Sequence, residues 1–200
     1  MSHFKFPLKP SQLIIATYFD TDPHNFFLPT LYFAFKLSNA FYGSSSQCGI
    51  WPAFWSLGES IRHDTPWSAC GEIDTFENVN GQAKGFGTLH CGTACLGGGG
   101  LSLAGPFDYS TAHTWSHSID ITNGDWTQQL ITFSLDGTPY HIIHGSDLNN
   151  QADCTAVTQK ALFITLNVAV GGLFPGAPAA NTAIGSDTGM EIDYVAVYST

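Results

Sequence analysis

Apolar and polar residues alternate with a period of two along much of the chain, the pattern of half-buried strands. Residues 30–37 (TLYFAFKL) read as a strand, as do 49–57 (GIWPAFWSL), 71–79 (GEIDTFENV) and 84–91 (KGFGTLHC). Further strands follow at 114–122 (TWSHSIDIT), 129–137 (QLITFSLDG) and 139–143 (PYHII). Asp136-Gly137, between the last two, is a two-residue hairpin signal. The longest apolar run is 161–172 (ALFITLNVAVGG), and 189–199 (GMEIDYVAVYS) supplies a last strand. Four glycines at 97–100 predict a turn or loop. No helical periodicity of useful length is visible, and no repeat or linker divides the chain. Short strands spaced by turn residues predict an all-β fold of two packed antiparallel sheets, one domain over residues 1–200.

Composition narrows what such a sandwich could do. The 200 residues are 14% aromatic and only 11% charged, and the net charge of −10 leaves six Lys and Arg in all. No basic patch could neutralise phosphates, so neither nucleic acid nor an anionic membrane is an expected partner. No apolar run reaches the length of a membrane span. Neutral, hydroxyl-rich polymers suit aromatic side chains with little charge around them, although most aromatics in a β chain fill its core. The first twenty residues lack the continuous apolar segment of a signal peptide. Five cysteines, Cys48, Cys70, Cys91, Cys95 and Cys154, show no zinc spacing and read as one or two disulfides with a leftover thiol.

Against that sparse charge, GEIDTFENVN (71–80) is anomalous, with two of the chain's four glutamates and an aspartate inside six positions. Glu72 and Asp74 share a strand face, whereas Glu77 stands at an odd offset from Glu72 and would face the other way. One extra residue at Thr75 or Phe76, a β-bulge, returns all three acids to one face. The outer Cα atoms would then lie roughly 13 Å apart, and inward-leaning glutamates would close to about 5–6 Å, the separation of a retaining glycosidase pair. A solvated edge or a calcium site is the alternative. Calcium loops carry their acids in turns, however, not between Ile and Phe.

The block GIWPAFWSLG…WSACGEIDTFENVN resembles glycoside hydrolase family 16, in particular its fungal laminarinase-like endo-1,3(4)-β-glucanases, whose signature is E-x-D-x-x-E after a WPAFW segment. The resemblance continues in order through TLHCG (88–92), ITFSLDG (131–137), LNVAVGG (166–172) with FPG after it, and MEIDYVAVY (190–198). It implies a concanavalin-like jelly roll of two curved sheets and retaining cleavage of β-1,3-glucan, with mixed β-1,3/1,4 linkages tolerated. Glu72 matches the nucleophile, Glu77 the general acid/base and Asp74 the carboxylate that tunes them. Trp55 and Trp67 match aromatics flanking the cleavage point, and His90 a histidine that meets the acids or the sugar. Trp51 shares a strand face with Trp55 and is a further substrate-binding candidate; one of the two is expected to stack on sugar while the other packs, and core packing is the favoured alternative for Trp51.

The resemblance implies no cofactor and no catalytic metal. A structural calcium is the one ion it would admit, through Asp193, with partner ligands from an N-terminal segment that matches nothing. Residues 1–47 read as divergent or shortened. The family also implies a monomer acting outside the cell or in the cell wall. A glucan-binding module on the same sandwich is the competing reading, and a wall transglycosylase a third. Retention of both glutamates and the aspartate favours an enzyme over a module. His113 with His117, and His141 with His144, lie in strand or turn text where their spacing builds no metal site.

Overall fold

The computed structural model describes residues 15–17, 30–37, 45–92, 95, 100–148 and 150–199. Two antiparallel sheets account for nearly all of the regular structure among them. The first has the order β1-β10-β3-β4-β5-β6, from β1 (Ile15–Thr17), β10 (Leu162–Val170), β3 (Ile50–Gly58), β4 (Glu72–Glu77), β5 (Lys84–His90) and β6 (Leu101–Pro106). The second has the order β11-β2-β7-β8-β9, from β11 (Ile192–Ser199), β2 (Thr30–Leu37), β7 (His113–Asp120), β8 (Leu130–Leu135) and β9 (Thr138–His144). The acid-bearing strand β4 is thus interior to its sheet, flanked by β3 and β5. An interior strand has both backbone edges paired, which suits it to hold side chains in fixed directions.

Packing follows from the alternation. Phe54, Ile73, Phe76 and Leu89 of the first sheet meet Trp115 and Phe133 of the second, all of them fully buried. Phe76 and Trp115 pack with ring centroids 4.9 Å apart. Gly85 gives them room: a Cβ there would lie 2.6 Å from Trp115 and 2.7 Å from Phe76. The Asp136-Gly137 hairpin has φ of 51° and 78° at its two residues, the positive pair that a two-residue turn needs. Its tip is tied down, because Asp136 accepts from the Thr114 amide at 2.8 Å and lies 2.7 Å from His113.

Three elements differ from the sequence expectation. β6 was not foreseen, since LSLAGP carries Gly and Pro where a strand signal needs branched or aromatic residues. Helix α2 (Gln151–Thr158), preceded by the single turn α1 (Gly145–Leu148), has too weak an amphipathic pattern to read from periodicity. Its readable mark is the cap, Asn150, whose side chain accepts from the Ala152 and Asp153 amides. β1 lies in the unmatched N-terminal text. The remainder of residues 1–47 is mostly outside the described residues, as are the expected glycine turn's residues 97–99. The cysteines form one disulfide, Cys91–Cys95, and leave three free thiols rather than one.

Helix α2 abuts the start of β4 through Val157 and Ala156. Gly71, immediately before Glu72, has φ of 84°, and a Cβ there would fall 2.7 Å from Val157 and 3.0 Å from the Ala156 carbonyl oxygen. Both the backbone conformation and the space require glycine. Gly71→Ala is expected to destabilise the fold by about 3 kcal/mol, from the left-handed conformation and the overpacking together. A lowered urea midpoint at unchanged slope checks this; an unaltered midpoint would show that α2 yields without cost.

Candidate active site

The register of β4 against its neighbours contains the bulge. Ile73 pairs with Ser56 and Asp74 with Trp55, but Phe76 pairs with Phe54 and Glu77 with Ala53, so Thr75 is the extra residue on that side. Against β5 the pairing runs from Asp74↔Thr88 directly to Glu77↔Phe86. Two consecutive residues, Thr75 and Phe76, therefore point into the core. Thr75 hydrogen-bonds His117 of the opposite sheet at 2.8 Å, and Phe76 packs on Trp115. Glu72, Asp74 and Glu77 are left together on the other face. An inserted residue in a ladder does this locally, without moving the strands on either side.

Each acid meets specific partners on that face. The Trp51 indole N–H donates to Glu77 Oε1 at 2.8 Å, and the Trp67 indole N–H donates to Glu72 Oε2 at 3.2 Å. His90 Nε2 lies 3.1 Å from Asp74 Oδ2 and 3.8 Å from Glu72 Oε1. The closer contact has the length of a hydrogen bond without its alignment, so its attraction is chiefly electrostatic. Trp67 leans on His90 with ring centroids 5.3 Å apart. Trp55, paired with Asp74 across the ladder, gives its N–H not to an acid but to Asn167 Oδ1 at 2.7 Å.

Comparison with known proteins agrees with this arrangement. The family described as "XgeA-like, catalytic GH16 domain" matches residues 39–101, the span holding β3, β4 and β5. Endo-1,3(4)-beta-glucanase xgeA of Emericella nidulans is 40% identical over 74 residues, 37% of this chain and 11% of its own. Glucan endo-1,3-beta-glucosidase A1 of Niallia circulans is 28% identical over 155 residues, 75% of this chain and 22% of its own. The crystal structure of endo-1,3-beta-glucanase from Streptomyces sioyaensis superposes with a TM-score of 0.76 at 32% identity, covering 84% of this chain and 63% of that one. These similarities relate the chain to glycoside hydrolase family 16. The chain spans less than two thirds of the length of each of these relatives.

In this chain the electrostatics of the acids are governed by burial. Glu77 is pushed up to about 7, first by desolvation and then by the neighbouring Asp74, against the opposing pull of the Trp51 N–H, His90 and Thr88. Glu72 is raised in the same way, by burial and then by Asp74, with His90 and the Trp67 N–H favouring its charged form. Asp74 is raised by burial. The two are strongly coupled, so the order of ionisation has to come from their surroundings. Glu72 is the more exposed side chain, at 14% against 5%, and it has an N–H donor. Of this pair Glu72 is therefore the better placed to carry charge, although burial raises both.

Of the side chains singled out from sequence, Glu72, Asp74, Glu77, Trp51, Trp67 and His90 converge, and Trp55 stands one step back. Trp51 does more than pack, since its N–H holds Glu77. Asn167 went unremarked inside an apolar run, where a polar residue at an alternate position was the available signal. Phe174, 45% exposed, sits edge-on to Trp51 and Phe86. Glu72, Asp74 and His90 offer three ligand atoms within 4.8 Å of one another, enough to hold a metal ion geometrically. Proton sharing among them accounts for the same proximity. Asp193 lies on β11, in the other sheet. The remaining histidines do not converge: His113 faces Asp136, and His141 lies 3.1 Å from the Gly87 carbonyl oxygen.

Raised carboxyl pKa values carry a stability consequence. Between the ordinary value of 4.5 and about 7, the folded chain keeps a proton on Glu77 that the unfolded chain has released. Stability from this group is therefore greatest at acid pH and falls as pH rises through that window. Glu77→Gln is expected to stabilise the fold at pH 8 by up to about 3 kcal/mol, several degrees in Tm, with the gain vanishing near pH 4. Thermal melts of both proteins across pH 4–8 check the sign.

Proposed function

We propose that the protein is an endo-acting retaining glycoside hydrolase that cleaves β-1,3-glucan, with mixed β-1,3/1,4-glucan tolerated, by double displacement. The observation that carries this reading is the bulged strand that gathers two glutamates and an aspartate on one face, each glutamate held by an indole N–H. Glu72, better placed than Asp74 to carry charge, attacks the anomeric carbon. Glu77, protonated near neutral pH, gives its proton to the departing glycosidic oxygen. Loss of charge on the glycosylated Glu72 relieves the repulsion around Asp74 and Glu77. Glu77 then remains ionised and takes a proton from the water that attacks the covalent intermediate. Asp74 stores the proton that keeps the acid pair at unequal charge.

The names of the relatives support an endo-acting glucanase. The Trp67 ring, 47% exposed beside Glu72 and His90, offers a flat apolar face to a sugar ring. We assign Trp67 and Trp55 to substrate contact, and Trp51 to both packing and holding the acid. No cofactor is assigned, a structural calcium through Asp193 remains the one metal proposed, and the acting form is taken as a monomer. A polymeric substrate is met outside the plasma membrane, so we place the protein in the extracellular space or cell wall.

Reducing-sugar release from laminarin and from mixed-linkage glucan tests the activity, with Glu72→Gln lowering kcat/KM by about 10³-fold or more. Laminarin binding without release by the parent protein would replace the enzyme with a binding module. Glu77→Ala should spare activated aryl glycosides in its first step and recover turnover with azide, giving a β-glycosyl azide. An α-configured azide would overturn the retaining mechanism. Trp51→Phe removes a donor to the charged form of Glu77, so the alkaline limb of the pH–rate profile is expected to move up by about one pH unit.

A further inference from the structure

The bulge that gathers the acids is held from behind by a polar contact with no counterpart elsewhere in the core chemistry described above. Thr75, the inserted residue, is fully buried, and so is His117 on β7. Thr75 Oγ1 and His117 Nδ1 share a 2.8 Å hydrogen bond between the two sheets, and either tautomer of the ring satisfies it. Each strand is interior to its sheet: β4 lies between β3 and β5, and β7 between β2 and β8. Ring contacts flank the pair, with Phe76 against Trp115 at 4.9 Å and His117 beside Phe133 at 6.2 Å. Apolar packing resists compression but tolerates small slides along a strand, whereas a directed hydrogen bond fixes position.

We propose that His117 and Thr75 are a positioning pair for catalysis: their bond across the sandwich pins the bulge and so sets the spacing of Glu72 and Glu77. This rests on the glycosidase reading of the acids. Neither residue touches substrate. Burial holds the imidazole at about 3, so it stays neutral over the whole range in which the acids work, and the pin does not loosen with pH. A polar pair inside a core stabilises little over an apolar pair of the same shape, because both groups must leave water to make it. Its use is geometric, and displacements well under 1 Å at reacting groups already slow a displacement reaction.

The test separates position from stability. Thr75→Val keeps shape and removes the hydroxyl; Thr75→Ser restores the hydroxyl; Thr75→Val with His117→Phe makes the contact apolar on both sides. Expected are a drop of tenfold or more in kcat for Thr75→Val with KM for laminarin within about twofold, and recovery in Thr75→Ser to within threefold of the parent. The double variant should regain the thermal midpoint yet keep the low kcat. Unchanged kcat in a folded Thr75→Val, or recovery of kcat together with stability in the double variant, overturns the proposal.

A second readout does not depend on turnover. The chain has only four glutamates, so carboxyl-labelled glutamate gives four carbon resonances, and Glu72→Gln and Glu77→Gln assign the two in the site. Thr75→Val should move the titration midpoint of at least one of them by half a pH unit or more, and Thr75→Ser should not. Identical midpoints in all variants overturn the pin even if the parent proves inactive. Failure of the glycosidase reading would instead appear as a parent that hydrolyses no glucan.

Discussion

Everything about the site depends on one inserted residue. A regular strand would have sent Glu77 to the face opposite Glu72 and buried it between the sheets, where an unpaired carboxyl has neither water nor donor. With Thr75 inserted, the same six residues send Ile73, Thr75 and Phe76 inward and three acids outward. Three core positions hold the strand down while the acids stand on it, so the chemistry is carried by the most constrained part of the fold rather than by a loop. That constraint also explains the glycines around it. Gly71 admits helix α2 against the entrance of β4, and Gly85 admits the Phe76 and Trp115 rings behind it.

Gathering three carboxyls costs stability, and the molecule does not offset that cost with bases. Among the described residues, His90 is the one basic side chain within ion-pair distance of them. Two indole N–H groups and the Thr88 hydroxyl supply further donors. Indole donors favour the charged form without bringing a full positive charge that would fix a carboxylate permanently ionised. A lysine or arginine in the place of Trp51 would hold Glu77 ionised at neutral pH and leave no acid to protonate a leaving group. Weak, neutral donors on a desolvated face keep both protonation states within reach.

Much of this was legible in the chain. The strands β3, β4, β5, β7, β8, β9, β10 and β11 were readable because alternation persists for six residues or more, and the hairpin because Asp-Gly tolerates positive φ at both positions. The bulge was readable from an odd offset between two glutamates, a parity argument that needs no coordinates. Other features had no such signal. Periodicity places Trp51 and Trp55 on one face but says nothing of where their N–H groups point, and one went to Glu77 while the other went to Asn167. His117 read as one histidine of a spaced pair, and only the packing of one sheet on the other brings it to Thr75. Strand β6 and helix α2 were missed because local propensity there is weak and tertiary packing decides.

The division between the two faces of β4 bears on what can vary among proteins built this way. On the proposed function, substrate would meet the solvent face, through the aromatic rings and the loops that border it. Exchanging those changes which polymer fits without disturbing the acids. The core face sets the distance between the acids, and a change there alters the reaction for every substrate alike. On the proposed function, the crowded carboxyls would favour an uncharged sugar at the point of cleavage, since an anionic group there would add negative charge to a desolvated cluster. A low count of basic residues and a cluster of acids in one strand would, on that same function, fit a neutral polymer held by stacking and hydroxyl contacts.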